Sequence, residues 1–288
     1  MGNLLFWIKT SRPGLWFPTI WLYLLPLGTS QFWESGWFWA GLLFVTFPLN
    51  FMIYGWNDIV DYETDRLNPR KDTFLFGAKG NKNELSGLPL PIIIVQCLTY
   101  PIFIIYFGWI LGLIYLGILV VLVAYNFPGK GFRSIPFLDL IAQFGYLLVI
   151  PFSIIVNGTE QIHWITYGYL LLFAIQSQLM GEVMDIDPDR QAGRQTTATL
   201  LGRINTKILI IIIVLAEMLL IMLVYQDYIF GGMFAFAIIW LLLDLLVIFK
   251  NKAYTLNEMK LFGVGSNAIA LASMIYVWWS GCLLEVGV

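Results

Sequence analysis

Two short acidic runs carry the chemistry most legible in this sequence. The first reads Asn57-Asp58-x-x-Asp61-x-Glu63-x-Asp65, and the second reads Glu182-x-x-Asp185-x-Asp187-Pro188-Asp189. On a helix, Asn57, Asp61 and Asp65 follow i, i+4, i+8 and Asp58 lies one turn from Asp61, so the four share a face. Glu182, Asp185 and Asp189 repeat the i, i+3, i+7 spacing of Asp58, Asp61 and Asp65. Pro188 is expected to end or kink the second helix and to leave Asp189 on a turn.

Like charges converging beside hydrocarbon repel strongly unless a cation neutralises them. Magnesium suits the task, because it takes one or two carboxylates together with phosphate oxygens and retained waters. Asn57, Asp58, Asp61, Asp65, Glu182, Asp185 and Asp189 are therefore the candidate Mg2+ ligands, and two such groups acting together make a site for a magnesium-bridged diphosphate. Asp58, Asp61, Asp65, Asp185 and Asp189 are the carboxylates expected to carry catalysis. Basic residues flank both runs: Arg66, Arg70 and Lys71 after the first, Arg190 and Arg194 after the second, and Lys130 and Arg133 between them in sequence. They are candidates for the phosphate oxygens that magnesium leaves open. Either run alone also reads as a solvated helix end, and basic residues are expected in any cytoplasmic loop. The pair, with matched spacing, favours the metal site.

The elements that must position these residues are membrane helices. Of the 288 residues, 59% are hydrophobic and 12% charged, whereas a soluble domain is roughly 25% charged. Runs of ~20 apolar residues suggest about nine spans. They fall near 15–32, 37–57, 91–107, 110–127, 136–156, 162–181, 206–225, 228–249 and 260–284. All 16 Lys and Arg residues lie before the first span or after the second, fourth, sixth and eighth. By the positive-inside rule those segments face the cytoplasm and the C-terminus lies outside. Both acidic runs close an even-numbered span, so both are expected at the cytoplasmic boundary of the inner or plasma membrane. The long polar stretches 66–90 and 190–205 lie on that same side. No cleavage site follows Lys9 and Arg12, so the first apolar segment is expected to be retained. The chain reads as a single domain over 1–288. Its net charge of −2 gives no basis for nucleic-acid binding, and Cys97 and Cys282 sit in apolar runs without metal-ligand spacing.

Other polar residues rank lower. His163, the sole histidine, falls on the outer side. Glu217 and Asp244 lie within spans; they read as polar helix–helix contacts or, in a different class of protein, as coupling groups of a secondary transporter. Asn50 precedes Asn57 by two turns on a similar face and is a candidate substrate contact. Gln96, Gln143, Gln176 and Gln178 follow it.

Asn57-Asp58-x-x-Asp61-x-x-x-Asp65, followed by Asn68-Pro69-Arg70-Lys71, resembles the first aspartate-rich motif of the UbiA superfamily of intramembrane prenyltransferases. Asp185-x-Asp187-Pro188-Asp189-Arg190-x-x-Gly193-Arg194-x-Thr196-Thr197-Ala198 resembles the second. Arg12-Pro13, and Tyr125-Asn126 with Lys130, also match family habits. The likeness covers nearly the whole chain, with one departure: Glu182 stands where many members have Asp. It implies an all-α membrane bundle around a central cavity with cytoplasmic cap loops. It further implies Mg2+-dependent transfer of a prenyl group from a prenyl diphosphate to a hydrophobic acceptor, among membrane lipid, with Arg12 and Tyr125 as further substrate contacts. The first motif is similar to that of lycopene elongases and the second also to that of the chlorophyll-synthase branch. The resemblance therefore favours a carotenoid acceptor such as lycopene, with an aromatic quinone precursor or a chlorophyll-type acceptor as alternatives.

Overall fold

The computed structural model describes residues 2–28 and 32–284. Among these residues the regular structure is helical, and no strand forms. In chain order the helices are α1 (Gly2–Thr10), α2 (Phe17–Leu24), α3 (Gly36–Thr46), α4 (Pro48–Val60), α5 (Tyr62–Asp65), α6 (Lys82–Ser86), α7 (Pro89–Thr99) and α8 (Pro101–Phe107). There follow α9 (Trp109–Tyr125), α10 (Leu138–Ile141), α11 (Val149–Asn157), α12 (Trp164–Gln191), α13 (Thr197–Leu201), α14 (Arg203–Leu220), α15 (Tyr228–Leu243) and α16 (Leu256–Ser280).

Proline and glycine set the breaks. Pro48 opens α4 and Pro101 opens α8, the position where a missing N–H costs least. Gly108, at φ +92°, separates α8 from α9. Single π-helical turns, Ile221–Tyr225 and Asp244–Ile248, extend α14 and α15.

Among the described residues six helical stretches are long and apolar enough to cross a membrane: Gly36–Val60, Lys82–Phe107, Leu138–Asn157, Arg203–Tyr225, Tyr228–Ile248 and Leu256–Ser280. Phe17–Leu27 and Trp109–Tyr125 are apolar but shorter. The first predicted span, 15–32, is thus longer than its helix, and its residues 29–31 lie outside the described residues. The expected placing of the C-terminus rests on residues 285–288, which also lie outside them. The polar stretch 66–90 is partly helical, because Asn81 and Glu84 form a capping box that starts α6 early.

The chain divides into two compact units. The first takes in residues 1–131 and 148–161, and its interior is largely aromatic. Tyr23, Phe38, Phe44, Tyr100, Phe103 and Phe152 are all buried, with successive ring centroids 5.0–6.1 Å apart. Buried polar tips find partners: the Tyr23 hydroxyl donates to Phe38 O at 2.9 Å, and Ser153 Oγ donates to Tyr23 O at 2.5 Å. Gly41 lets α3 approach this stack, since a Cβ there would collide with the Tyr23 hydroxyl.

The second unit takes in residues 132–147 and 162–288. Leu179 and Val183 of α12 pack with Ile210 and Val214 of α14, Leu241 of α15 and Met259 of α16. The outer faces of α15 and α16 leave Ile239, Leu246, Val264, Ile275 and Trp279 exposed. Hydrocarbon is the solvent that accommodates such faces, and helices satisfy their own backbone groups within it.

Candidate functional site

The first acidic run ends α4 and forms α5. Asp61 departs from ideal helix geometry with ψ +10°, yet its N–H reaches Asn57 O at 2.8 Å and the Asp65 N–H reaches Asp61 O at 2.8 Å. The i, i+4, i+8 ladder expected from the spacing is therefore kept. Around it two cations converge. Asp58 is buried, and its Oδ1 accepts from Arg12 Nη2 and from Lys71 Nζ, both at 2.7 Å. Lys71 Nζ also meets Asp65 Oδ2 at 2.7 Å, so one ammonium bridges two carboxylates. Asn57 Nδ2 donates to Asp61 Oδ2 at 2.9 Å and to Asn126 Oδ1 at 3.2 Å.

Arg12 is set by strain and by a loop. It holds a left-handed backbone at φ +53° and lies over the Tyr54 ring at 4.5 Å. Gly77, at φ +95°, closes the Thr73–Gly77 turn; a Cβ there would come 2.9 Å from Arg12 Nε, which explains a glycine at that position. Lys9 pairs with Asp72 at 2.9 Å and the Gly14 N–H donates to Phe74 O at 3.0 Å, tying the loop after α5 to the N-terminal segment. Burial alone would lower the Arg12 pKa; the nearby Asp58, Asp65 and Tyr54 hold it above its ordinary value nonetheless. Burial pushes the Asp65 carboxyl up to about 6, with Lys71 opposing the rise and Asp58 and Asp61 adding to it.

The second run lies in the last turns of α12. Pro188 does not end this helix: α12 continues to Gln191, and Asp189 is helical and buried rather than on a turn. So near the helix end a proline removes one intrahelical bond, and the Ala192 N–H still reaches Pro188 O at 3.0 Å. Asp189 faces Arg194, with Nη1 to Oδ1 at 3.7 Å, and the Arg194 N–H donates to Asp189 O at 2.8 Å. Asp185 is half-buried. Glu182 is committed elsewhere: its Oε1 accepts from Gln178 Nε2 at 3.0 Å and its Oε2 from the Ala198 N–H at 3.1 Å. Oε1 is thus held within α12, and Oε2 ties α12 to α13.

The flanking cations separate into classes. Lys71 is buried inside the first cluster, whereas Arg66 pairs with exposed Glu63 at 3.0 Å and Arg70 lies 5.0 Å from the Phe76 ring. Arg194 Nε donates to Arg133 O at 3.2 Å, and Arg190 Nη2 donates to Thr199 O at 3.4 Å. Lys130 is exposed, and Tyr125 is half-buried at the end of α9. Asn50 is fully buried, with Nδ2 donating to Thr19 Oγ1, Val45 O and Thr46 O at 2.8–2.9 Å. Those bonds give Asn50 a packing role between helices. Asp244 pairs with Lys207 at 2.9 Å and accepts from the Tyr254 hydroxyl, as a structural ion pair does.

The family model described as the UbiA prenyltransferase family matches residues 15–263. The chain belongs to that family. It is accordingly a prenyltransferase and, with its apolar helices, an integral multi-pass membrane protein. Among similar proteins are a lycopene elongase/hydratase of Corynebacterium glutamicum, 31% identical over 204 residues (68% of this chain and 69% of that protein). Another is a C(50) beta-cyclic carotenoids biosynthesis protein, LbtBC, of Dietzia sp., 30% identical over 208 residues (69% of this chain, 46% of that protein). A UbiA homolog from Archaeoglobus fulgidus, solved bound to GPP and Mg2+, shares the fold with TM-score 0.62 at 15% identity, covering 93% of this chain and 99% of that one.

The residues of this UbiA-family chain fit a hard divalent cation. Asp58 Oδ2 is buried without a hydrogen-bond partner, and the surrounding donors are carboxylate and amide oxygens. Among the described residues no three His, Cys, Asp or Glu side chains are already gathered as metal ligands. Lys71, lodged between Asp58 and Asp65, takes the position between those carboxylates.

Asp139 is the residue the sequence reading missed. It is fully buried in α10, with Oδ2 accepting from the Thr197 N–H and Oδ1 from Thr197 Oγ1, both at 2.6 Å. Its one legible signal, an acid within a predicted span, is the signal that drew attention to Glu217 and Asp244.

Proposed function

We propose that this protein transfers a prenyl group from a magnesium-bound prenyl diphosphate to a carotenoid acceptor of the lycopene type, at the cytoplasmic face of a membrane it crosses about nine times. The observation that carries the donor half is the buried Asp58–Lys71–Asp65 arrangement with its unpartnered Asp58 oxygen, cations and carboxylates in one place as a metal diphosphate requires. The names of the relatives, lycopene elongase/hydratase and C(50) carotenoid biosynthesis protein, favour the acceptor. Segregation of the Lys and Arg residues supports the orientation and the number of crossings.

In this reading Asn57, Asp58, Asp61, Asp65, Asp185 and Asp189 hold the metal. Magnesium supplies charge neutralisation of the leaving diphosphate. The chain's own cations do the rest of the binding: Lys71, Arg66, Arg70, Lys130, Arg133, Arg190 and Arg194 contact phosphate oxygens. Arg12 orients Asp58 through the 2.7 Å contact of its Nη2 with Asp58 Oδ1. Hydrocarbon-facing helices admit the two lipophilic chains and exclude water, so that the allylic cation left when the donor's C–O bond to diphosphate breaks adds to the acceptor double bond before it meets water, and the acceptor carbocation so formed is discharged by loss of a proton.

The test is transfer from labelled dimethylallyl or geranyl diphosphate in membranes of a host that makes lycopene and of one that makes quinone precursors. Isoprene units should accumulate on the carotenoid pool. Asp61→Asn or Asp185→Asn should each lower transfer by about 100-fold or more, the scale on which loss of transition-state charge stabilisation acts. Transfer that survives both substitutions refutes the metal-diphosphate reading; label entering only the quinone pool refutes the carotenoid acceptor.

A further inference from the structure

Asp139 is remote in sequence from both acidic motifs, yet its carboxylate is engaged on both oxygens by the short helix that follows the second motif. Thr197 is the hub. Its N–H and hydroxyl both donate to Asp139 at 2.6 Å, and the same hydroxyl oxygen accepts from the Phe137 N–H at 2.7 Å. Phe137 holds φ +68° there, a backbone conformation that a bulky side chain adopts where surrounding contacts dictate it. Glu182 clasps the next residue through the Ala198 N–H at 3.1 Å, and Asp139 lies against Glu182. Thr196 completes the cap by accepting from Thr199. Two segments are joined in this way, 133–139 and 194–198, and the Arg194 Nε to Arg133 O bond at 3.2 Å closes the junction.

We propose that Asp139, acting through Thr197, is a positioning residue for the donor site: it fixes the segment carrying Arg194, and thereby where Arg194 stands relative to Asp189 and Arg133. The inference rests on the prenyltransferase reading above. A carboxylate serves here because it presents acceptors only, and three donors (the Thr197 N–H, the Thr197 hydroxyl and the Leu140 N–H) converge on it. An amide in its place presents an N–H to one of those donors and loosens the junction while nearly keeping its volume.

The experiment uses the full-length protein in lipid nanodiscs loaded with lycopene as acceptor, with Mg2+ and dimethylallyl diphosphate as the probe. Asp139→Asn and Thr197→Val should each raise the KM for the diphosphate about 10-fold or more, the range for residues that orient ligands rather than contact them, while kcat changes much less. Amide exchange over 194–198 should rise in parallel. Thr197→Ser, which keeps the hydroxyl, should restore both readouts, and the Thr197 pair decides the matter should Asp139→Asn not fold. Faster exchange with an unchanged KM overturns the positioning role, as does a raised KM with exchange at 194–198 unaltered. Wild-type protein that binds no diphosphate refutes the prenyltransferase reading itself, and so is told apart from an active wild type whose variants are indifferent.

Discussion

Replacing Lys71 with methionine removes the ammonium that bridges Asp58 and Asp65 among the described residues. Its side chain is 4% exposed and that of Asp58 2%, and both contacts are 2.7 Å, so little water screens the interaction. Without Lys71, Arg12 is left facing Asp58 in a pocket that also carries Asp65 and Asp61. Breaking a buried ion pair by deleting one partner costs roughly 3–5 kcal/mol when the remaining charge stays desolvated, and here that charge is chiefly Asp65, since Asp58 keeps Arg12 at 2.7 Å. At roughly 2–4 °C per kcal/mol for a chain of this size, the metal-free variant should melt about 6–20 °C below wild type. Millimolar Mg2+ should then stabilise Lys71→Met more than wild type, because a second cation enters carboxylates that have lost their tethered one. The assay is thermal unfolding in detergent or nanodiscs with EDTA and with Mg2+. Arg66→Met serves as the control: its pairing with Glu63 is solvent-exposed, and such pairs contribute about 0–1 kcal/mol. Equal melting of Lys71→Met and wild type in EDTA refutes the buried bridge. Equal stabilisation of both by Mg2+ refutes the idea that Lys71 and the metal share the same carboxylates.

Three further outcomes follow from the same physics. The folded Asp65 carboxyl, raised to about 6 from an ordinary 3.8, binds its proton more tightly than the unfolded chain does, so its contribution makes the metal-free protein more stable as pH falls from 8 through 6. Asp65→Asn should flatten that part of the pH profile, measured as melting temperature at pH 5 and pH 8; an unchanged slope contradicts the assignment. Lys207→Met should destabilise by roughly 3–5 kcal/mol through stranded Asp244, and Lys207→Met with Asp244→Leu should recover most of the loss, read by unfolding. Glu217 is fully buried with both carboxyl oxygens unpartnered, so Glu217→Leu should raise the melting temperature and leave prenyl transfer intact. Proton-coupled uptake in proteoliposomes that vanishes with Glu217→Gln would instead support a transporter.

Much of this architecture was legible because its causes are local. A bilayer imposes length and apolarity on each span independently, so helices α3–α4, α7–α8 and α14 to α16 could be read from composition along the chain. The period of an α-helix is equally local, which is why the ladder Asn57, Asp61, Asp65 survived the distortion at Asp61. Where local rules compete, the sequence was a poorer guide. Pro188 is a helix breaker by type, yet it sits where a helix can spare one hydrogen bond. Asn81 and Glu84 hid a helix start inside a loop that looked uniformly polar.

The sequence by itself determined a membrane protein with two acidic motifs of matched spacing, since composition and spacing are properties of adjacent residues, and the resemblance of those motifs to the UbiA superfamily implied prenyl transfer. Only the tertiary structure decided how those acids are used. Lys71 and Arg12 are 13 and 46 positions from Asp58, and Thr197 is 58 positions from Asp139. Such pairings depend on which helix faces meet, and no periodicity along the chain encodes them. For the same reason Glu182 and Asp189, alike in the motif, part company in the fold: one braces α13, and the other faces Arg194.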